Sequence, residues 1–100
     1  MDIAHKPLKT SFRSKGFDYR QVKRHGDVAI FEQTKPGIFG QWFEVIIVQR
    51  HDGYELGGKT VVPAESMPSS SQWGKKGFTF RTQEDAERKF QQLSTAMVHA

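Results

Sequence analysis

The chain predicts an α+β fold, an antiparallel sheet of four to five strands with one C-terminal helix packed across one face. Three observations carry that expectation. A helical period begins after Thr82, where Ala86, Phe90, Leu93 and Met97 recur at i, i+4, i+7 and i+11. Upstream, short runs of β-branched and aromatic residues are interrupted by Gly, Pro and Asp, as hairpin turns require. With 100 residues the chain is long enough for a single core, which one helix and one sheet nearly exhaust.

Residues 1–14 hold no sustained period and are broken by Pro7, Thr10, Ser11 and Ser14. They read as a flexible N-terminal arm that Ile3, Leu8 and Phe12 tack to the body, ahead of a single α+β domain at 15–98. Phe17, Tyr19 and Val22 predict a strand over 16–24, the turn His25-Gly26-Asp27 follows, and 28–34 returns as its hairpin partner. A loop over 35–40 carries Ile38 and Phe39 at its tip, both unusually apolar for that position. Residues 41–50 are the strongest strand. Phe43, Val45 and Ile47 take one face, and Trp42, Ile46 and Val48 the other with Glu44 and Arg50, so the strand belongs in the sheet interior.

Tyr54–Leu56 and Lys59–Val62 around Gly57-Gly58 predict a further strand with a tight turn. Residues 63–77 form a long connection in which Met67 and Trp73 are the only large apolar groups, with one helical turn at Ser70–Trp73. Phe78–Phe80 completes the sheet and leads into the helix. Thr82 is placed as its N-cap with Asp85 at capping-box spacing, Glu84–Arg88 and Asp85–Lys89 are favourable i, i+4 pairs, and Val98-His99-Ala100 frays.

Composition narrows the chemistry. Cysteine is absent, which removes disulfides, thiolate catalysis and thiolate metal sites. The first residues lack an apolar leader core and no run reaches membrane-spanning length, so a cytoplasmic location is expected. Charge is uneven: residues 1–26 hold seven bases against two acids, and the rest hold eight against nine. The net charge of +4 is therefore an N-terminal property, an asymmetry that suits a polyanionic partner such as nucleic acid, or else a solvated face.

No catalytic constellation converges. His5, His25, His51 and His99 fall in termini or separate turns without metal-ligand spacing. Ser69-Ser70-Ser71 has no nucleophile elbow around it. Gly53–Thr60 matches G-x-x-x-x-G-K-[ST], but Val61-Val62-Pro63 cannot open the helix that a phosphate loop needs, so a glycine-rich hairpin is expected there. The similarity of Arg24-His25-Gly26-Asp27 to Arg50-His51-Asp52-Gly53 reads as turn chemistry at two strand ends. No enzyme activity, metal or small-molecule cofactor is expected.

The aromatic residues point further. A helix about 10 to 12 Å wide with its side chains cannot cover both faces of a sheet this rich in rings, so the reverse face is left for another molecule. The expected activity is that of a non-enzymatic binding module for single-stranded nucleic acid. Lys15, Arg20, Lys23, Arg24, Lys75 and Lys76 would meet phosphates, and Tyr19, Trp42 and Trp73 would stack on bases. The alternative is a protein-interaction or assembly factor, acting through the exposed sheet face as a homodimer or by blocking a host protein.

The run Pro68-Ser69-Ser70-Ser71-Gln72-Trp73-Gly74, the strand Phe78-Thr79-Phe80 and the helix motif Ala86-x-x-x-Phe90 resemble small uncharacterised proteins of bacterial and phage genomes. The likeness extends through Gly26–Gln33 and Phe43–Ile46, over roughly residues 17–93, and implies a phage or bacterial accessory protein without implying an activity. At the level of fold alone, the sheet-plus-helix plan is similar to Whirly-like and Pur-like modules that bind single-stranded nucleic acid as dimers; none of their motifs is present.

Overall fold

The computed structural model describes residues 4–98, apart from the side chains of Met97 and Val98. Strands β1 (Ser11–Ser14), β2 (Phe17–His25), β3 (Val28–Thr34) and β4 (Trp42–Ile47) follow one another as antiparallel neighbours. The short ladder elements β5 (Gln49–His51), β6 (Tyr54–Leu56), β7 (Lys59–Val61) and β8 (Ala64–Ser66) come next, then β9 (Gly77–Phe80) and the helix α1 (Gln83–Val98). The main sheet has the order β1-β2-β3-β4-β9, with every pair antiparallel, and α1 packs on β3, β4 and β9.

Side-chain alternation on β3 and β4 dictates what must cover them. Val28, Ile30, Phe43 and Val45 point to one face, where they are buried with Ala86 and Phe90 of α1, and Val22, Phe80 and Leu93 close the margin. The helix begins as its sequence requires, the Thr82 hydroxyl accepting the Asp85 amide at 3.2 Å. Lys23 fastens it from the sheet, with Nζ 3.0 Å from a Glu87 oxygen and 4.7 Å from the Phe90 ring centre. Arg88 pairs with Glu84 and Asp85, while Lys89 turns to Gln92 and the Phe78 ring in place of the expected Asp85 pair.

On the opposite face Ala29, Phe31, Ile46 and Val48 form a second buried cluster. No helix covers it. Leu8 and Phe12 from the N-terminal segment, Met67 from the long connection and Tyr19 from β2 do so instead. Backbone bonds fix this cover: Lys6 donates to Pro63 O at 3.0 Å, Glu65 donates to Lys6 O at 2.8 Å, and Gln21 donates to Thr10 O at 2.7 Å. The expectation that the whole reverse face is left for another molecule is thus corrected, because leaving Phe31 and Ile46 in water would forfeit roughly 1.5 to 3 kcal/mol for each side chain.

Two further expectations change. Ser11–Ser14 belongs to the sheet as β1, because Lys15 (φ 53°) and Gly16 (φ 84°) form a two-residue turn with both residues left-handed, the geometry that matches strand twist. The Tyr54–Val61 segment is a hairpin of its own, β6 with β7, outside the main sheet. Its turn at Gly57 (φ 56°) and Gly58 (φ 79°) is of the same kind, so the phosphate-loop-like motif is a tight turn between strands. The strand from residue 41 ends at Ile47, and the Val48 amide turns aside to Asp27 O at 2.7 Å. The readings placed on Ile3, His99 and the Met97 side chain lie outside the described residues. Among the described residues no helix is long and apolar enough to cross a membrane.

Phe90→Ala is expected to cost about 3 to 5 kcal/mol in denaturant unfolding, as a large-to-small change at the helix–sheet contact. Wild-type stability in that variant would show that α1 does not clamp the sheet.

Candidate functional site

Seven of the nine residues singled out by sequence fall into two groups. Arg20, Lys23 and Arg24 are engaged internally. Arg20 meets Glu32 at 3.3 Å and Lys23 holds α1. Arg24 makes a two-pronged contact with Glu65, 2.8 Å on each side, and Arg50 adds a third bond to that carboxylate at 2.9 Å and two to Asp27. The Leu8 amide donates a fourth at 2.9 Å. The two similar turn segments therefore meet around one acid contributed by β8. The Arg24 guanidinium, with the Leu8 amide and Arg50, holds the Glu65 carboxyl at about 2. Arg50 likewise keeps Asp27 below the usual carboxylate range. This network ties the N-terminal segment and β8 to the main sheet, and its arginines are committed there.

The second group, Lys15, Tyr19, Trp42 and Trp73, lies at the other side of the reverse face. Lys75 and Lys76 join neither group: they stand in the turn before β9, where the Lys76 carbonyl accepts from the Ile47 amide at 2.8 Å, at the far end of β4 from Trp42. In register across the sheet stand Phe12, Tyr19, Gln33 and Trp42, one on each of β1 to β4. Phe12 stacks on Tyr19 at 4.9 Å, and Gln33 donates to the Tyr19 hydroxyl at 2.9 Å. Phe17 meets Trp42 edge-on at 6.4 Å. Lys35 lies over the Phe17 ring at 5.3 Å and Arg81 over Trp42 at 5.4 Å. Trp73 rests against Gly77, where any side chain would collide with its ring, and its indole N–H donates to Thr79 at 3.0 Å. It is 36% exposed, so it caps the sheet while keeping surface toward solvent.

Lys15, Tyr19 and Trp73 line one pocket of about 280 Å³, together with Phe12, Met67 and Glu44. Glu44 is the feature that sequence reasoning placed on this face without recognising its consequence. Its side chain lies on the same side of β4 as Trp42 and Ile46, and the residue is 7% exposed. Burial pushes its carboxyl up to about 7, and no donor among the described residues offsets that. Burial, and then the Glu44 charge, also raises the Tyr19 phenol above its ordinary value.

At the same end of the sheet the loop 35–41 carries Ile38 half exposed and Phe39 fully exposed. Among the described residues, no carboxylate is within ion-pair distance of Lys15, Lys35, Lys75, Lys76 or Arg81. Lys35 and Arg81 escaped sequence reasoning although each abuts an aromatic residue in space; only the strand register brings those partners together. His5 pairs with Asp52 at 2.9 Å, and among the described residues no group of three potential ligands is placed to hold a metal.

No family model matches this chain, and neither does any curated protein or solved structure.

The two acids titrate in opposite directions. Above 4.5 an unfolded Glu44 loses its proton while the folded one retains it up to about 7, so stability falls as pH rises through that window. The upper limit of the loss is about 3 kcal/mol. Glu65, held at about 2, contributes stability above 4.5 that is lost as pH falls toward 2. Urea unfolding is expected to show a maximum near pH 5 and a decline to pH 8 that Glu44→Gln abolishes. A flat wild-type profile from pH 5 to 8 would show that Glu44 is solvated or paired.

Proposed function

We propose that the protein is a non-enzymatic module that binds single-stranded nucleic acid along the open half of the reverse face. The observation that carries this reading is the interleaving of unpaired cations with aromatic rings at one end of the sheet: Lys15, Lys35 and Arg81 alternate with Phe17, Trp42 and Trp73. Rings there offer stacking surfaces to any base, worth about 1 to 3 kcal/mol each. The cations supply the sequence-independent attraction to phosphates. Lys75 and Lys76 are exposed but lie at the Ile47 end of β4, away from Trp42, and so are not part of the proposed surface. Arg20, Lys23 and Arg24 drop out of the proposed surface because their acids already neutralise them.

The alternative, a protein-interaction or assembly surface, is favoured by one feature. Ile38 and Phe39 project at the tip of the 35–41 loop, where they would anchor an apolar partner or a second copy of the chain. Salt distinguishes the two readings, since contacts between apolar groups persist at ionic strengths that release a polyanion.

Fluorescence anisotropy with labelled single-stranded oligonucleotides tests the proposal. Affinity should fall linearly on a log–log salt plot, and Lys15→Ala, Lys35→Ala and Arg81→Ala should each reduce the slope by about 0.7. Neutralising Lys23 and Arg24 together should lower stability while leaving that slope unchanged. No binding by the unmodified protein at low salt would overturn the proposal.

A further inference from the structure

Glu44 is the one buried carboxylate among the described residues, and no protein group there donates a hydrogen bond to it; its oxygens face the pocket. Glu65, for comparison, accepts from two arginines and a backbone amide. A buried acid to which the protein donates no hydrogen bond weakens the folded state whenever it ionises. Yet it lines a pocket rather than being sealed beneath one, so a ligand can supply what the protein does not.

The pocket restricts what that ligand is. About 280 Å³ lies at the small end of small-molecule sites, which run from roughly 300 to 1,000 Å³. It admits one ring system. Tyr19, Phe12 and Trp73 offer flat apolar surface, and Lys15 is the only cation among the lining residues. The occupant is therefore planar, presents N–H donors to Glu44, and carries negative charge toward the rim.

We propose that this pocket receives a single unstacked guanine base of a bound strand, its N1–H and N2–H donating in parallel to the Glu44 carboxylate. The proposal rests on the nucleic-acid reading above and names the base that the same surface prefers. Guanine is the base whose Watson–Crick edge offers two adjacent donors; cytosine and adenine each set an acceptor nitrogen against one oxygen and lose that half of the contact. A guanidinium group has the same fork of donors. Lys15 at the rim disfavours it, whereas Lys15 favours a nucleotide by meeting the phosphate.

Protonation links binding to pH. A carboxyl raised by burial to about 7 must ionise to accept both donors, so guanine binding strengthens as pH rises through that value. Lys15 and Tyr19 are the other titratable groups lining the pocket, and burial raises the Tyr19 phenol above its ordinary value.

The test compares an oligothymidylate of about eleven nucleotides, within the site size of single-stranded binders, with versions carrying guanine, cytosine or adenine at the centre. Free guanosine monophosphate and free arginine serve as competitors. The guanine strand should bind about tenfold tighter than the others at pH 8, and lose that advantage at pH 5.5. Glu44→Gln should erase the preference at both pH values while keeping affinity for plain oligothymidylate. A cooperative melt of Glu44→Gln confirms that the variant is folded; should it not fold, guanosine monophosphate competition on the wild-type chain decides. Equal binding of all four strands would overturn the guanine pocket and leave the nucleic-acid surface intact. Binding of guanosine monophosphate lost in Glu44→Gln, with no strand bound, would keep the pocket and overturn the surface. Competition by arginine in place of guanosine monophosphate would overturn the proposal in favour of a cationic side chain.

Discussion

A strand whose two faces are both apolar cannot rest against water on either side, and β3 and β4 are two such strands lying next to each other. Ile30 and Val45 need cover on one face as much as Phe31 and Ile46 do on the other. One helix meets half of that demand. The other half falls to segments with little regular structure, the residues before β1 and the connection before β9. Their backbone groups find partners in one another, through Lys6 with Pro63 and Glu65 with Lys6, before they meet the sheet. A cover assembled this way is narrower than a helix layer. With Tyr19 it seals Ala29, Phe31, Ile46 and Val48; Glu44 lies at its margin and Trp42 beyond it.

Two glutamates mark the two halves. Glu65 belongs to the cover, saturated by Arg24, Arg50 and the Leu8 amide, and its charge is part of what keeps the N-terminal segment in place. Glu44 sits at the margin, buried by its neighbours and offered no donor. The first has a folded-state carboxyl far below its ordinary value and the second far above, from the same side chain in two surroundings. An acid of the second kind is retained at a cost in stability, which is why the open margin rather than the arginine network is the place to look for a ligand.

Local chemistry in the sequence was a sufficient guide wherever a single segment carries its own instructions. Thr82 and the Ala86–Phe90–Leu93 stripe declare the helix and the face it buries, and His25-Gly26-Asp27 declares a hairpin. Lys15-Gly16 did not declare one, because lysine seldom takes a left-handed φ and the four residues before it are too few to show alternation. The site was legible only in part for a related reason. Lys15, Tyr19, Trp42 and Trp73 could be named from residue type. That Arg24 is spent on Glu65, 41 positions away, is a property of the folded chain. The same holds for Glu44, whose pocket is walled by Phe12 from one end of the chain and by Met67 and Trp73 from the middle of it.

The claim that segments outside the sheet and helix seal half of the reverse face is tested most directly by native-state amide hydrogen exchange at Lys6, Gln21 and Glu65, the three donors that fasten the cover. If the cover is part of the cooperative fold, these amides exchange as slowly as the central amides of β3 and respond alike to denaturant. Exchange at the rate of an unfolded peptide, with β3 still protected, would mean that the reverse face is open along its whole length and that the division between a sealed half and a binding half does not exist.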